Sequence, residues 1–294
     1  MQRVSLKRYM RTHPIDAKKL QIGTYLFSGT YTKSAYLDAI MAGPPKDYTR
    51  VTVLEWRSIF DIDAMLAKKW LTSAGAFVAA AQDPTRIEKL WKKYPFLMQE
   101  TPLQTLEWFL YPDTYFLGNQ WDPIEQLIQA SLKRFQEKIL SQREQEWVGF
   151  LSTVAKQWLQ FSLPWALALA SVIEKEERAN AQKPTIAGVF LSRLSQGIQL
   201  GADITLCYGM KEPYETCTPS RIVAGIYDTQ NPYNTRIQKG LPPTPISNVS
   251  DKTFAALLRF TATPYLFYLH DAKGDIHYAT TNAEHEINKQ KYLQ

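Results

Sequence analysis

The chain has 294 residues, a formal net charge of +6, 45% apolar residues and 13% aromatic residues. This length and composition fit one large globular domain or two modest ones, each able to bury its own core. The basic residues are dispersed rather than gathered in one long run, which argues against a nucleic-acid partner. The aromatic content suits sugar binding, in which apolar sugar faces stack on rings, and equally suits a well-packed core.

Neither a secretory signal nor a membrane span is evident in the sequence. The first residues, MQRVSLKRYMRTHP, carry charges without an apolar stretch behind them. The longest uncharged run, residues 157–173, contains Pro164 and falls short of the about 20 apolar residues that span a membrane. We therefore expect this run to form a buried helix, and we expect any membrane anchor to belong to a native N-terminus not present in this chain.

Two cysteines, Cys207 and Cys217, lie ten residues apart. No further cysteine or nearby histidine completes a zinc-binding pattern, so no metal site is predicted. In an oxidising compartment the two thiols could close a short loop worth roughly 2–3 kcal/mol, whereas in the cytosol they would remain thiols. The sequence does not choose between these states.

The first 80 residues alternate short strand-like and helical segments. Residues 21–27 (QIGTYLF) are typical of a strand, and residues 32–43 are typical of a helix that ends at its glycine. Residues 50–56 (RVTVLEW) predict another strand, and residues 58–71 predict a helix with their first residue, a serine, as N-cap. This alternation predicts a small α+β module over residues 1–80.

The middle of the chain is predicted to be mostly helical. Residues 105–117 (TLEWFLYPDTYFL) interrupt the helices with two short extended segments, separated by a break at Pro112–Asp113. A helix is predicted over residues 121–140, with Asp122 as N-cap and Pro123 at the first helical position.

The C-terminal part combines helices with one hairpin. Residues 164–178 (PWALALASVIEKEER) predict a buried helix that ends in acidic residues, and residues 183–198 predict another helix. Residues 264–280 (PYLFYLHDAKGDIHYAT) predict two strands around a glycine-containing turn, followed by a helix over residues 282–294. Residues 81–294 therefore predict a mixed α+β domain.

The glutamates at the end of the apolar helix are candidates for acid–base chemistry. Cleavage of a glycosidic bond needs a carboxylic acid that protonates the leaving oxygen, normally with a second carboxylate as base or nucleophile. A glutamate at the rim of an apolar pocket has the raised pKa that such an acid needs. Glu174 continues the apolar stripe of the helix, but Glu176 and Glu177 also follow apolar residues one turn earlier. Spacing therefore favours Glu174 only weakly, and a surface cluster of acids is the open alternative.

Several segments resemble those of one bacterial family, the YceG-like (MltG) endolytic murein transglycosylases. ASVIEKEE (170–177), AGVFLSRLSQGIQLGAD (187–203) and YNTRIQKGLPPTPI (233–246) are similar to its ASIVEKE segment, its VFLNRL helix and its YNTY…GLPPTPI signature. Residues 105–117 resemble its EGYLFPDTY segment, and residues 51–77 resemble its LysM-like module. These segments follow in the family's order over nearly the whole chain, so the resemblance is specific.

The resemblance implies an α+β fold with a LysM-like glycan-binding module over residues 1–80 and a YceG-like catalytic domain over residues 81–294. It implies a lyase that breaks the bond between N-acetylmuramic acid (MurNAc) and N-acetylglucosamine (GlcNAc) without water. The primary hydroxyl of MurNAc attacks its own anomeric carbon and leaves a 1,6-anhydro end. One glutamate can serve both proton transfers, so neither a cofactor nor a metal is required. Alignment with ASIVEKE gives this role to Glu174.

Seven further positions are implied to bind substrate. Asn234 and Thr235 could hydrogen-bond an acetamido group or instead fix the proline loop that follows them. Asp203 matches the Asp of the family's Q-T-D-P-T stretch, although Ala202 and Ile204 replace its Thr and Pro. The implied substrate-binding residues are Glu107, Tyr111, Asp113, Asp203, Tyr233, Asn234 and Thr235.

The resemblance also implies a place in the bacterial cell envelope, at the periplasmic face of the cytoplasmic membrane. Its partners there would be peptidoglycan glycan strands, which such enzymes terminate, and the enzymes of cell-wall synthesis. Two other functions stay open. One is a hydrolase in which Glu174 is the acid and Asp203 or Glu107 the base, and the other is a peptidoglycan-binding scaffold without activity.

Overall fold

The structure is a computed structural model that describes most of the chain. The described residues are 9, 12, 19–21, 25, 32–43, 48–98, 103–119, 121–156, 159, 161–211 and 217–293. The predicted strand over residues 21–27 lies largely outside them.

Helices and two small sheets alternate along the described residues, so the predicted α+β class is confirmed. The N-terminal elements are α1 (Lys33–Ala42), β1 (Tyr48–Val53), α2 (Ile59–Lys68), α3 (Ala76–Ala81), α4 (Pro84–Trp91), β2 (Asp113–Gly118) and α5 (Pro123–Phe135). The C-terminal elements are α6 (Glu144–Ala155), α7 (Leu163–Glu176), α8 (Lys183–Ser195), α9 (Asp203–Gly209), α10 (Pro219–Gly225), α11 (Asp251–Leu258), β3 (Phe267–His270), β4 (Ile276–Ala279) and α12 (Asn282–Tyr292).

The chain forms two compact units that are each built from two segments. The first unit combines Met1–Val53 with Asp113–Ala130, and the second combines Leu54–Pro112 with Ser131–Gln294. The boundaries of these two units do not coincide with the module boundary predicted at residue 80. The LysM-like character of residues 1–80 stays a prediction.

The first unit contains α1 and an antiparallel sheet of two strands. The side chain of Thr32 caps α1 by accepting a hydrogen bond from the Ala35 amide, and the helix ends at Gly43, whose φ is +93°. In the sheet, β1 and β2 pair in a register that runs from Tyr48 opposite Gly118 to Val53 opposite Asp113. The predicted helix that ends at Gly43 is confirmed.

The second unit confirms the predicted start of α2. The Ser58 hydroxyl accepts a hydrogen bond from the Asp61 amide, and the Asp61 carboxylate accepts one from the Ser58 amide. This capping box satisfies two amides that the first turn of a helix leaves without partners.

One predicted element is wrong. The first part of TLEWFLYPDTYFL is a 3-10 turn over Glu107–Phe109 rather than an extended segment, whereas its second part is β2. The turn places the Phe109 ring 5.4 Å from the Phe96 ring and 5.0 Å from the Phe135 ring. Packing of these rings in the core outweighs the strand preference of an aromatic-rich segment.

Helix α7 is the centre of the second unit, and the prediction of a buried helix is confirmed. Every residue from Ala166 to Glu174 is buried, and α7 packs against α8 and α11. At Gly188 of α8 the backbone of residue 261 lies very close, because the Thr261 amide bonds to the Pro184 carbonyl at 2.9 Å. Small residues on α7 and α8 let these two helices pack close to each other, and Gly188 lets α8 pack close to residue 261.

A hairpin and a final helix complete the unit, as predicted. Strands β3 and β4 pair antiparallel, with Phe267 opposite Ala279, and Gly274 in the turn has a φ of +86°. Thr281 then caps α12 in a second capping box, with Glu284 as its partner.

The structure joins the two cysteines that the sequence left undecided. Cys207 of α9 and Cys217 form a disulfide with a Cα–Cα distance of 5.8 Å. The bond ties α9 to the residues just before α10.

None of the helices in the described part of the chain combines the length and the apolar character needed to cross a bilayer.

The close approach at Gly188 gives a stability prediction. A Cβ at position 188 would lie 1.9 Å from the Thr261 carbonyl oxygen, so Gly188→Ala should lower the free energy of unfolding by about 2–3 kcal/mol. Gly149 of α6 has open space around it, so Gly149→Ala should raise that free energy by about 1 kcal/mol. Urea denaturation of both variants tests this, and equal effects at the two positions would contradict the packing described here.

Candidate active site

The acidic residues at the end of α7 point in different directions. Glu174 and Glu176 lie in the last turn of the helix, and Glu177 is the C-cap residue. Two residues correspond to about 200° of rotation in an α-helix. The side chains of Glu174 and Glu176 therefore leave the helix on nearly opposite sides, and each meets a different group of neighbours.

Glu174 lies in a polar cradle. Its Oε1 accepts a hydrogen bond from Nζ of Lys183 at 2.9 Å, and its Oε2 accepts bonds from the Ser250 amide at 2.9 Å and the Ser250 hydroxyl at 2.8 Å. Lys183 Nζ also donates to the Thr253 hydroxyl at 2.6 Å. The side chains of Glu174 and Lys183 are only 5% and 4% exposed, and three donors hold the Glu174 carboxyl group in place. The apolar rim expected around Glu174 is therefore absent, because the last turn of α7 meets the polar start of α11.

A cleft of about 340 Å³ opens beside Glu174. Its lining is mostly charged and includes residues before α2, at the end of α7 and at the start of α11. The lining residues are Glu55, Trp56, Glu174, Lys175, Arg178, Asn180, Lys183, Ser250 and Lys252.

Glu176 has the raised pKa that the sequence led us to expect at Glu174, but its neighbours are polar and charged. It keeps part of its surface exposed, but the protein atoms around its carboxyl group raise its pKa by burial. Tyr268 donates a hydrogen bond to Oε2 at 2.9 Å. That bond, His270 and Arg236 act to lower the pKa, whereas Asp203 raises it further. Burial outweighs the opposing contacts, so Glu176 retains its proton to a higher pH than an ordinary glutamate.

Asp203, at the first position of α9, lies in the same group of charges as Glu176. Both of its carboxylate oxygens bind the Arg236 guanidinium, with Nη2 at 2.9 Å from Oδ2 and Nε on Oδ1. This two-point contact fixes the orientation of both side chains. The structure thus brings one predicted site residue, Asp203, to the Glu176 side of α7.

Glu177 organises the turn after α7. Its Oε1 accepts a hydrogen bond from the Ala179 amide, and its Oε2 lies 3.1 Å from Nε2 of His270 on β3. Both contacts are structural, and they hold the end of α7 against the hairpin.

Glu107 is a buried acid with two partners. Its Oε1 accepts a hydrogen bond from the Ile59 amide at 2.9 Å, and its Oε2 accepts one from the Tyr208 hydroxyl. Burial raises the pKa of Glu107 from 4.5 to about 7, against the lowering effect of the Tyr208 and Ile59 hydrogen bonds. Glu107 therefore joins the start of α2 to α9, and its predicted contact with substrate stays a prediction.

The YNT segment is largely built into the fold. Nδ2 of Asn234 donates to the carbonyls of Ile226 and Asp228, both at 3.0 Å. The Thr235 hydroxyl lies 2.8 Å from that of Thr205. Asn234 and Thr235 are 0% and 1% exposed, so the geometry favours the alternative in which they fix the loop that follows.

Tyr233, in contrast, is only partly buried, and its side chain contacts the proline loop. Its hydroxyl lies 2.8 Å from the Thr244 hydroxyl, and its ring centroid is 4.9 Å from that of Tyr208. Burial raises its pKa. Tyr233 thus connects the proline loop to the Glu107–Tyr208 pair.

The two remaining predicted residues lie in different units. The Tyr111 hydroxyl donates to Oδ1 of Asp251 at 3.2 Å, at the first position of α11. Asp113 begins β2 in the first unit, and its Oδ1 accepts a hydrogen bond from the Thr114 amide at 2.7 Å. No substrate contact is shown for either residue.

Sequence reasoning missed Lys183, Ser250 and Arg236 as parts of the site. One signal was available for Lys183, since it begins the buried stripe of α8 that continues at Ile186, Ala187 and Phe190. A charged residue in such a stripe requires a buried partner. The described residues contain no group of three or more histidine, cysteine or acidic side chains arranged to hold a metal ion.

These features describe an α+β protein whose buried central helix ends at two carboxylates in contrasting surroundings, one ion-paired and one of raised pKa. The chain matches the YceG-like family over residues 2–291 and belongs to that family.

Comparison with individual proteins gives the same family. An endolytic murein transglycosylase of Bacillus subtilis is 26% identical over 282 residues, which are 94% of this chain and 74% of the relative. A protein of the same name from Streptococcus pneumoniae serotype 2 is 27% identical over 228 residues, or 75% of this chain and 39% of the relative. The crystal structure of a putative YceG-like protein from Listeria monocytogenes matches with a TM-score of 0.68 and 25% identity, over 97% of this chain and 89% of that one.

The raised pKa of Glu107 gives a pH prediction. The folded protein holds a proton on Glu107 up to about pH 7, whereas the unfolded chain releases it near 4.5. The free energy of unfolding should therefore fall by about 3 kcal/mol as the pH rises through this window. Glu107→Gln should remove this part of the pH dependence, as measured by urea denaturation between pH 4 and pH 8.

Tyr208→Phe provides the matched comparison. It removes a hydrogen bond that lowers the pKa of Glu107, so the fall in stability should extend to higher pH. An unchanged slope in the Glu107→Gln variant would show that Glu107 does not cause it.

Proposed function

We propose that this protein is a peptidoglycan lytic transglycosylase that cleaves the MurNAc–GlcNAc bond within glycan strands and leaves 1,6-anhydro-MurNAc ends. The observation that carries the proposal is Glu174, which lies in the last turn of the buried helix and lines a cleft, in a chain of the YceG-like family. Relatives of this chain that bear the name endolytic murein transglycosylase support the same substrate.

The chemistry requires one carboxyl group to act twice. A protonated glutamate donates its proton to the GlcNAc oxygen as the bond from that oxygen to the anomeric carbon of MurNAc breaks. The resulting carboxylate then removes the proton of the MurNAc primary hydroxyl, whose oxygen bonds to the anomeric carbon. The glutamate ends protonated again and no water is consumed, so the group needs a pKa close to the working pH.

Two glutamates compete for this role. The family alignment gives it to Glu174, whose carboxylate is ion-paired with Lys183. Glu174 also lines the cleft of about 340 Å³, where a glycan strand could reach it. We therefore assign the acid–base role to Glu174 and retain Glu176, whose pKa is raised by burial, as the competing assignment. In this assignment Lys183 and Ser250 position the Glu174 carboxyl group.

A hydrolase is the second candidate, and the position of Asp203 favours it. Asp203 lies close enough to Glu176 to raise its pKa, so two carboxylates are available as acid and base. Against this, both oxygens of Asp203 already bind Arg236.

We further propose the setting that the resemblance implies. The protein would act at the periplasmic face of the cytoplasmic membrane, where it would terminate nascent glycan strands. The enzymes that synthesise those strands would be its partners.

The test is mass spectrometry of uncrosslinked glycan strands digested by the wild-type protein, Glu176→Gln and Glu174→Gln. Wild-type products should be lighter by one water than hydrolysis products. Glu174→Gln should slow cleavage by about 100- to 10,000-fold, the usual contribution of a general acid–base group. It should also lower the free energy of unfolding, because it disturbs a buried ion pair. Glu176→Gln should slow cleavage less.

Each other outcome moves the assignment. A greater loss in Glu176→Gln than in Glu174→Gln would give the acid–base role to Glu176. Hydrated reducing ends would support the two-carboxylate hydrolase. No cleavage by the wild-type protein, with glycan binding intact, would support the scaffold.

A further inference from the structure

The cleft beside Glu174 has more positive than negative charge in its lining. Its cationic residues are Lys175, Arg178, Lys183 and Lys252, whereas Glu55 and Glu174 are its only acidic lining residues. Lys183 and Glu174 bind each other, so the rest of the lining contains the cations Lys175, Arg178 and Lys252 and the carboxylate of Glu55. We call this feature the cationic cleft.

The floor of the cationic cleft is fixed. Glu174 and Lys183 are buried and fully engaged with Ser250 and Thr253, so neither is available to bind an added anion without breaking this network. The cations at the rim are different, since Arg178 and Lys252 are exposed. A ligand would therefore meet the rim cations and leave the buried pair intact.

Arg178 is held in place by an aromatic ring. Its guanidinium carbon lies 5.5 Å from the ring centroid of Trp56, within the range of a cation–π interaction. The backbone of Trp56 has a φ of +67°, a left-handed conformation that is strained for a bulky residue. Such strain persists where the surroundings enforce it, and it is concentrated at functional sites. Trp56 and Arg178 thus form a preorganised part of the rim.

Charge complementarity points to one part of peptidoglycan. The amino-sugar rings of the glycan are uncharged, whereas the stem peptides attached to MurNAc carry several carboxylates. A cleft that bound only the sugar rings would have no use for three cations at its edge. Carboxylates on a peptide that projects from the strand would reach such a rim and pair with Arg178 and Lys252.

We propose that the cationic cleft binds stem-peptide carboxylates next to the bond that is cleaved, with Arg178 and Lys252 as the residues that select peptide-bearing strands. This rests on the proposed function and makes it more specific. The protein would cleave strands that still carry their peptides in preference to bare glycan.

Steady-state cleavage of three strand preparations of matched length tests the proposal. The first carries native stem peptides. In the second, the peptide carboxylates have been converted to amides by carbodiimide coupling with ammonia. The third has lost its peptides to an amidase and keeps only the lactoyl carboxylate of MurNAc.

The native strands should have a KM about tenfold lower than either other preparation, with kcat similar, because two partly exposed charge pairs contribute about 0.7 kcal/mol each. This advantage should shrink as the salt concentration rises from about 0.05 M to about 0.5 M, since exposed charges are screened. Equal KM values for native and amidated strands would overturn the proposal. A KM for bare glycan as low as that for native strands would instead identify the lactoyl carboxylate as the ligand.

Variants test whether the cationic cleft causes the difference in KM between native and amidated strands. Lys252→Gln should raise the KM for native strands several-fold and reduce its ratio to the KM for amidated strands, and Arg178→Gln should act in the same way. Arg178→Lys, which keeps the charge, should recover part of the loss. Lys89→Gln removes the same charge from an exposed position on α4 and should leave every KM unchanged.

The outcomes separate this proposal from the function on which it rests. An equal rise of KM for native and amidated strands in Lys252→Gln would mean that Lys252 does not recognise carboxylates. If the wild-type protein cleaves none of the three preparations, the proposed function itself fails. Cleavage of all three at one KM leaves the function standing and removes the selectivity.

Discussion

The buried pair of Glu174 and Lys183 is the interaction on which the candidate site depends. It joins the end of α7 to the start of α8, and through Ser250 and Thr253 it joins both to the start of α11. Removing one partner of such a pair leaves a buried charge without compensation, which typically costs about 3–5 kcal/mol. This junction fixes the position of Glu174 beside the cleft.

At this junction, the glutamates of one short acidic segment have different surroundings and different roles. Because α7 turns by about 100° per residue, neighbouring glutamates are presented to different surroundings. One side of the helix end is a polar cradle that holds Glu174, and the other side places Glu176 near Tyr268 and the Asp203–Arg236 pair. A single helix terminus thereby gives two carboxyl groups different surroundings.

Local signals in the sequence predicted much of the fold but less of the site. Ser58 and Gly43 were readable because the start or end of a helix depends on residues within one turn of it. The 3-10 turn at Glu107 was not readable, because packing of Phe109 against rings distant in sequence decides it. The same limit applies to the candidate acid. The spacing of the glutamates cannot show that Ser250, far along the chain, binds Glu174, whereas Glu176 is buried against other residues.

The disulfide between Cys207 and Cys217 bears on the number of products that oxidation of these residues can form. These are the only two cysteines among the 294 residues, so oxidation within one molecule has a single possible product. The partners are ten residues apart, and a loop of that size closes on a timescale of about 10–100 ns. Within these residues, oxidative folding therefore needs no reshuffling of incorrect pairs, and the competing pairing joins two separate molecules.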